Sequence, residues 1–179
     1  MGQLMGRFKW IWDSFHQETS VIILGLDNAG KTATLYALQL EEPMPYTVPT
    51  IGFNVEAVRV GNLDIKMWDV GGQDSLRDLW PHYFEQSDGV AFVVDAADRD
   101  RFEQVRTEIH AIVSHKDLVG KPLLVLANKQ DLPRAASKGE LIDILNLNNI
   151  KSSQWYIVEC CAIQNDRAKV GFQWLGNQL

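Results

Sequence analysis

The stretch "VIILGLDNAGKT", residues 21–32, decides how this chain is read. An apolar, β-branched run ends at Gly25. A glycine-punctuated turn follows, then a lysine and a threonine. Gly25-x-x-x-x-Gly30-Lys31-Thr32 is the P-loop pattern, and it stands between a predicted strand and a predicted helix, as the pattern requires. Glycines let the backbone wrap closely around phosphates. Successive amides and the following helix N-terminus then aim partial positive charge at the anion. The nucleotide-binding candidates here are Asp27, Asn28, Ala29, Gly30, Lys31, Thr32 and Ala33. Lys31 is placed to reach β- and γ-phosphates, and the Thr32 hydroxyl to ligate Mg²⁺.

Working outward, short apolar runs alternate with longer amphipathic stretches. The runs are "SVIILG" (20–25), "FNVEAVRV" (53–60), "LDIKMWDV" (63–70), "GVAFVVDA" (89–96), "PLLVLAN" (122–128) and "WYIVECC" (155–161). Several are apolar almost throughout, as strands buried on both faces should be. The second and third alternate more and flank "GN" at 61–62, a hairpin signal that predicts one antiparallel edge pair. Helices are expected at 31–40, 76–86, 99–115, 137–146 and 168–178. This order predicts an α/β fold, a mostly parallel six-stranded sheet with helices on both faces. Ligands of such sheets bind beyond the carboxyl ends of the strands.

Bulk properties fit one domain. The chain has 179 residues, 46% of them hydrophobic. A net charge of −6 argues against non-specific nucleic-acid binding as its main role. The only cysteines, Cys160 and Cys161, are neighbours, so no disulfide framework is implied and a reducing compartment fits. No apolar run approaches the ~20 residues of a membrane span. The N-terminal stretch lacks the apolar core of a signal peptide.

Three further motifs extend the reading. "NKQD" (128–131) falls at a predicted strand end on the ligand side. The two carboxylate oxygens of Asp131 match the N1–H and N2–H₂ donors of guanine, a pair that adenine lacks. Asn128 can bridge back to the P-loop, and the Lys129 stem can cover the base face. In "WDVGGQ" (68–73), Asp69 can hold a magnesium-bound water, Gly72 can offer its amide to a γ-phosphate, and Gln73 can orient an attacking water. In "PTIGF" (49–53), Thr50 lies on a predicted loop and is a second candidate Mg²⁺ ligand. A polar loop, a Gly-Gly turn and ordinary Pro-Thr loop chemistry are the bland alternatives for these three pieces taken singly, as a tight turn with a surface lysine is for the P-loop.

With "GLDNAGKT", "PTIGFNVE", "WDVGGQ", "NKQD" and "CCA" (160–162) in this order, the chain resembles an Arf-family small GTPase over essentially its whole length. "WDVGGQ" and Asp27, where Ras relatives place glycine, favour Arf or Arf-like over Ras or Rab. The resemblance implies a P-loop NTPase G domain with GTP/GDP and Mg²⁺ as cofactors. Cys161 and Ala162 would lie near the guanine, the Ala162 amide donating to O6. It implies a switch with an exchange factor, a GTPase-activating protein and GTP-dependent effectors as partners. After Ala162 the family usually shows a Thr-x-Gly-x-Gly-Leu-like run, where this chain has "IQNDRA" (163–168).

Leu4, Phe8, Ile11, Trp12 and Phe15 fall on one narrow face at 100° per residue, flanked by Arg7 and Lys9. Residues 1–16 are therefore expected to form an amphipathic membrane-switch helix, with residues 17–179 as the GTP-binding domain. A helix docked on the protein's own surface and a membrane-interface helix are the two readings, and a switch combines them. Gly2 is the candidate N-myristoylation site, although Gly6 replaces the usual Ser or Thr at the sixth position. The Arf-family resemblance further implies a monomer that moves from cytoplasm to the cytosolic face of endomembranes, the Golgi above all, in vesicle trafficking.

Two other classes stand beside the switch. A P-loop kinase or ATPase is disfavoured by Asp131 and the absence of an acceptor-site lid. A nucleotide-locked scaffold is disfavoured by Gln73, Thr32 and Thr50. No arginine lies in the P-loop or next to Gln73, so intrinsic GTP hydrolysis is expected to be slow and to need an arginine in trans.

Overall fold

The computed structural model describes residues 19–40, 53–60, 63–164 and 167–179. Its centre is a six-stranded sheet: β1 (Thr19–Leu24), β2 (Phe53–Val60), β3 (Leu63–Val70), β4 (Gly89–Asp95), β5 (Leu123–Asn128) and β6 (Trp155–Glu159). The strands lie in the order β2-β3-β1-β4-β5-β6. All neighbours are parallel except β2 and β3, whose antiparallel ladder runs from Phe53↔Val70 to Val60↔Leu63. Both bounds of β2 and β3 agree with the alternation seen in the sequence.

Burial follows the period-2 geometry of strands. Along β1, Ile22 and Leu24 join one core, and Val21 and Ile23 join the other. The first core lies under α4 (Phe102–Ser114) and α5 (Lys138–Ile144), with Ile109, Leu141 and Phe92 among its members. The second lies under α1 (Lys31–Leu40) and α6 (Ala168–Gly176), where Leu35, Phe172 and Leu175 meet Val93 and Leu124. Every residue of β5 is buried, as a strand covered on both faces must be.

The expected helices appear with informative breaks. The stretch 76–86 is not one helix: α2 (Asp74–Arg77) and α3 (Pro81–Phe84) are separate short turns. Pro81 takes the start of α3, where its missing N–H costs nothing. The helix expected from 99 begins with a 3-10 turn at Arg99–Arg101, and α4 proper starts at Phe102. Arg101 itself has φ −102 and ψ 7, outside helical values. Ser137 caps α5 with a reciprocal box, its hydroxyl accepting from the Glu140 amide while the Glu140 carboxylate accepts from the Ser137 amide.

The order places β1 between β3 and β4, with the chain crossing over on opposite faces. The carboxyl end of β1 is therefore a topological switch point, and the turn 25–30 emerges there.

Candidate nucleotide site

The loop between β1 and α1 is built by unusual backbone. Asn28 has φ 60 and Gly30 has φ 95. Asparagine tolerates the left-handed region better than most side chains. A Cβ at Gly30 would come within 2.3 Å of the Asn128 amide nitrogen, so only glycine allows that approach. At the start of α1, Lys31 is buried. Its ammonium donates to the carbonyls of Gly25 and Leu26, each at 2.9 Å. Burial lowers its pKa to about 8; Asp69 and Asp27 pull it back up, and Arg101 pushes it down further. The lysine thus sits in a confined pocket with its charge only partly offset, a setting that favours an anionic ligand.

The carboxyl end of β3 lies against this loop. The Thr32 hydroxyl donates to Asp69 Oδ2 at 2.6 Å, and Asp69 is fully buried. A hydroxyl beside a carboxylate is a hard-oxygen donor pair of the kind Mg²⁺ takes together with phosphate oxygens and water. The residues present therefore fit that metal. Gly72 is packed so closely that a Cβ would meet Lys31 Nζ at 2.4 Å and the Gly25 carbonyl at 2.3 Å. The Asp27 amide donates to the Gly72 carbonyl at 3.1 Å, and the Trp80 indole N–H donates to the Gly71 carbonyl at 3.1 Å. These two bonds fix the Gly-Gly segment over the loop. Gln73 comes next, exposed, in extended backbone, at the N-cap of α2. Arg77 ties α2 to Glu108 of α4 at 2.6 Å and also pairs with Asp74.

The base motif closes the opposite side. Asn128 is buried at the end of β5; its Nδ2 donates to the Ala29 carbonyl at 2.9 Å and its Oδ1 accepts from the Ala162 amide at 2.9 Å. The bridge expected from Asn128 to the P-loop is present. The Ala162 amide, expected to serve guanine O6, donates to Asn128 Oδ1. Lys129, at φ 64, pairs with Asp95 at 2.7 Å. Asp131 is exposed and accepts from the Cys161 thiol at 3.0 Å. Burial, and then the bond to Asp131, raise that thiol to about 11, so it stays protonated and can donate.

Asp27, Asn28, Ala29, Gly30, Lys31, Thr32, Ala33, Asp69, Gly72, Gln73, Asn128, Lys129, Asp131, Cys161 and Ala162 thus gather at the carboxyl edge of the sheet. Thr50 and Gly2 lie outside the described residues, as do residues 1–18 and so the expected N-terminal helix. Of "IQNDRA", Ile163 and Gln164 belong to a 3-10 turn that starts at Ala162, and Ala168 opens α6.

Sequence reading missed the β4–α4 connection, residues 95–101. Arg101 donates to Asp27 Oδ1 at 2.8 Å, to the Asp27 carbonyl at 3.1 Å and to Asp98 at 2.6 Å. The available signal was a charged cluster, "DAADRDR", directly after an apolar strand on the ligand side.

The model of the ADP-ribosylation factor (Arf) family matches residues 7–179. This chain belongs to the Arf family. ADP-ribosylation factor J of Dictyostelium discoideum is 45% identical over 163 residues, 91% of this chain and 86% of the relative. ADP-ribosylation factor K of the same organism is 44% identical over the same shares. Among solved structures, the Arl6 BBS3 small GTPase from Trypanosoma brucei, with bound nucleotide analogue GppNp, superposes with a TM-score of 0.81. It is 32% identical, and the match covers 90% of this chain and 96% of that one. As an Arf-family protein the chain is a small GTPase switch, a GTP hydrolase that binds GTP and GDP with Mg²⁺. Exchange factors, activating proteins and effectors are partners of the class, and Arf-family proteins cycle on cytosolic membrane faces. Among the described residues no helix is long and apolar enough to cross a membrane.

Proposed function

We propose that the gathered residues divide the work of this GTPase as follows. Backbone amides from Asp27 to Ala33 cradle the phosphates, and Lys31 holds the β- and γ-phosphates. Thr32 and Thr50 would ligate Mg²⁺, and Asp69 would hold one of its waters. The metal, when bound, offsets charge on the phosphate oxygens. Gly72 offers its amide to the γ-phosphate. Gln73 orients the attacking water, which its exposed position at the mouth of the site permits. Asp131 reads the guanine edge, Lys129 covers its face, and Cys161 and Ala162 line the base.

The observation that carries this reading is the convergence of two chain-distant motifs, "WDVGGQ" and "NKQD", on the P-loop. Asn128 bonds Ala29, Thr32 bonds Asp69, and Gly72 packs on Lys31. Turnover is slow without an activating protein, because Arg101 is engaged by Asp27 and Asp98 and Arg77 by Glu108 and Asp74.

The finer reading is of a monomer, 1–16 a membrane helix and 17–179 the GTP-binding domain, with Gly2 myristoylated, working in vesicle trafficking at the Golgi and not on nucleic acid. The motifs and family membership support it. Asp131→Asn tests the base assignment. It places an amide donor opposite guanine N2–H₂, whereas xanthine offers an oxygen there. GTP affinity should fall by several orders of magnitude and xanthosine triphosphate affinity should rise. Unchanged GTP binding would remove Asp131 from the site.

A further inference from the structure

Asp27 is an odd residue for a phosphate cradle. A carboxylate there faces an anion, and like charges at close range cost free energy. The structure supplies an answer. The guanidinium of Arg101 bonds Asp27 Oδ1 at 2.8 Å and the Asp27 carbonyl at 3.1 Å, while its Nε donates to Asp98 at 2.6 Å. Two observations make this more than a surface pair. The 3-10 turn at Arg99–Arg101 and the non-helical backbone of Arg101 aim the side chain at the loop rather than along α4. Arg101 is only 30% exposed.

The position of Asp27 along the cradle is fixed by its neighbours. The base motif touches the loop at Ala29, through Asn128. The segment from β3 touches it at Asp27, whose amide donates to the Gly72 carbonyl. Asp27 is therefore at the end of the loop away from the base, where a terminal phosphate would lie. GTP brings more negative charge to that end than GDP does.

We propose that Arg101 sets the preference between GTP and GDP by cancelling the charge of Asp27 at the terminal-phosphate end of the loop. This rests on the nucleotide placement given above. Arg101 is a positioning residue: it acts through Asp27 and touches no phosphate. With the guanidinium in place, the Asp27 carboxylate is held away and neutralised, and the third phosphate meets little net repulsion. Without it, the carboxylate faces the γ-phosphate uncompensated. A purely structural role, holding the loop through the Asp27 carbonyl, would weaken both nucleotides alike.

The test is a charge cycle read as the ratio of GTP to GDP affinity, measured by competition against a fluorescent guanine nucleotide at low salt. Arg101→Gln keeps a donor and the side-chain stem but removes the charge. It should lower GTP affinity about tenfold more than GDP affinity. Arg101→Lys should keep the ratio near wild type. Asp27→Asn alone should move the ratio the other way, toward GTP. The double variant Asp27→Asn/Arg101→Gln should return it to within about twofold of wild type, because removing both charges leaves the net charge at this end of the loop unchanged. In about 1 M salt the Arg101→Gln shift should shrink, as the Debye length falls to ~3 Å. Equal loss of GTP and GDP in Arg101→Gln, or a ratio left shifted in the double variant, would overturn the proposal. Lys31→Ala separates the two levels. If it weakens both nucleotides while Arg101→Gln leaves the ratio alone, only the role of Arg101 falls. If Lys31→Ala changes neither affinity, the nucleotide does not lie on this loop and both readings fall.

Discussion

Asn128 and Ala29, 99 residues apart in the chain, are joined by a 2.9 Å hydrogen bond from the Asn128 amide to the Ala29 carbonyl. The same side chain accepts from the Ala162 amide. One buried residue thus ties the phosphate loop to the two loops that flank the base. Asn128→Ala cuts both ties and leaves a buried carbonyl and amide without that partner. Each such loss costs about 1–3 kcal/mol. Dissociation of GDP and of GTP should accelerate by at least about tenfold, with their ratio unchanged. Release of a fluorescent nucleotide measures this. An unaltered off-rate would mean that Asn128 serves folding alone.

Gln73 stands exposed at the N-cap of α2 and makes no side-chain capping bond. Gln73→Leu should therefore leave stability within about 0.5 kcal/mol of wild type. It should leave GTP affinity intact and slow hydrolysis assisted by an activating protein about a hundredfold or more, since misplacing a reacting atom by about 1 Å has that effect. Single-turnover hydrolysis decides the point. A variant that hydrolyses at the wild-type rate would exclude Gln73 as the water-positioning residue.

Lys31 carries a pH prediction. Its pKa is lowered to about 8, chiefly by burial. Phosphates beside it favour the charged form, so nucleotide binding should raise that value and take up a proton where the free protein has lost one. The uptake should be a substantial fraction of a proton at pH 8.5 and fall away toward pH 6.5. Nucleotide affinity should accordingly weaken as pH rises through about 8. For the nucleotide-free fold the sign is opposite. The unfolded chain holds this proton more tightly, so the Lys31 contribution to stability rises with pH from about 8 to the ordinary lysine value. Calorimetry in buffers of different ionisation enthalpy counts the protons. Zero uptake at pH 8.5 would contradict a lysine bound to phosphate.

Much of this architecture was legible because local and global preferences agree. The alternation in 53–60 and 63–70 gives both strands and their antiparallel pairing, and unbroken apolar runs give β4 and β5. The P-loop, "WDVGGQ" and "NKQD" announced most of the site. What escaped depends on the third dimension. Periodicity joined 76–86 into one helix because it ignored Pro81, which restarts the chain at α3. Arg101 is 74 residues from Asp27, and nothing near either residue names the other. Only the crossover from β4 to α4 brings them together. The engagement of the Ala162 amide by Asn128 is likewise a tertiary bond, invisible until the loops are placed.

The last prediction concerns residues 1–16. Leu4, Phe8, Ile11, Trp12 and Phe15 share one face of a helical projection. Burying each large apolar side chain is worth ~1.5–3 kcal/mol, so that face will not stay in water if a partner is available. We expect the G domain to offer one in the GDP state and a bilayer to offer one in the GTP state. The resemblance to the Arf family implies that the β2–β3 hairpin is the moving part; it is the antiparallel edge of the sheet and leads into the Gly71–Gly72 segment. A single myristoyl chain, if Gly2 carries one, would give only marginal membrane binding, so chain and helix would have to act together. Gly2→Ala, or Phe8→Glu with Ile11→Glu, should then release the GTP form from liposomes. Deleting residues 1–15 should speed GDP-to-GTP exchange in the absence of membranes. Co-sedimentation and exchange kinetics on full-length and truncated protein provide the check. If both nucleotide states sediment equally and truncation leaves exchange unchanged, the N-terminal segment is a fixed part of the fold and not a switch.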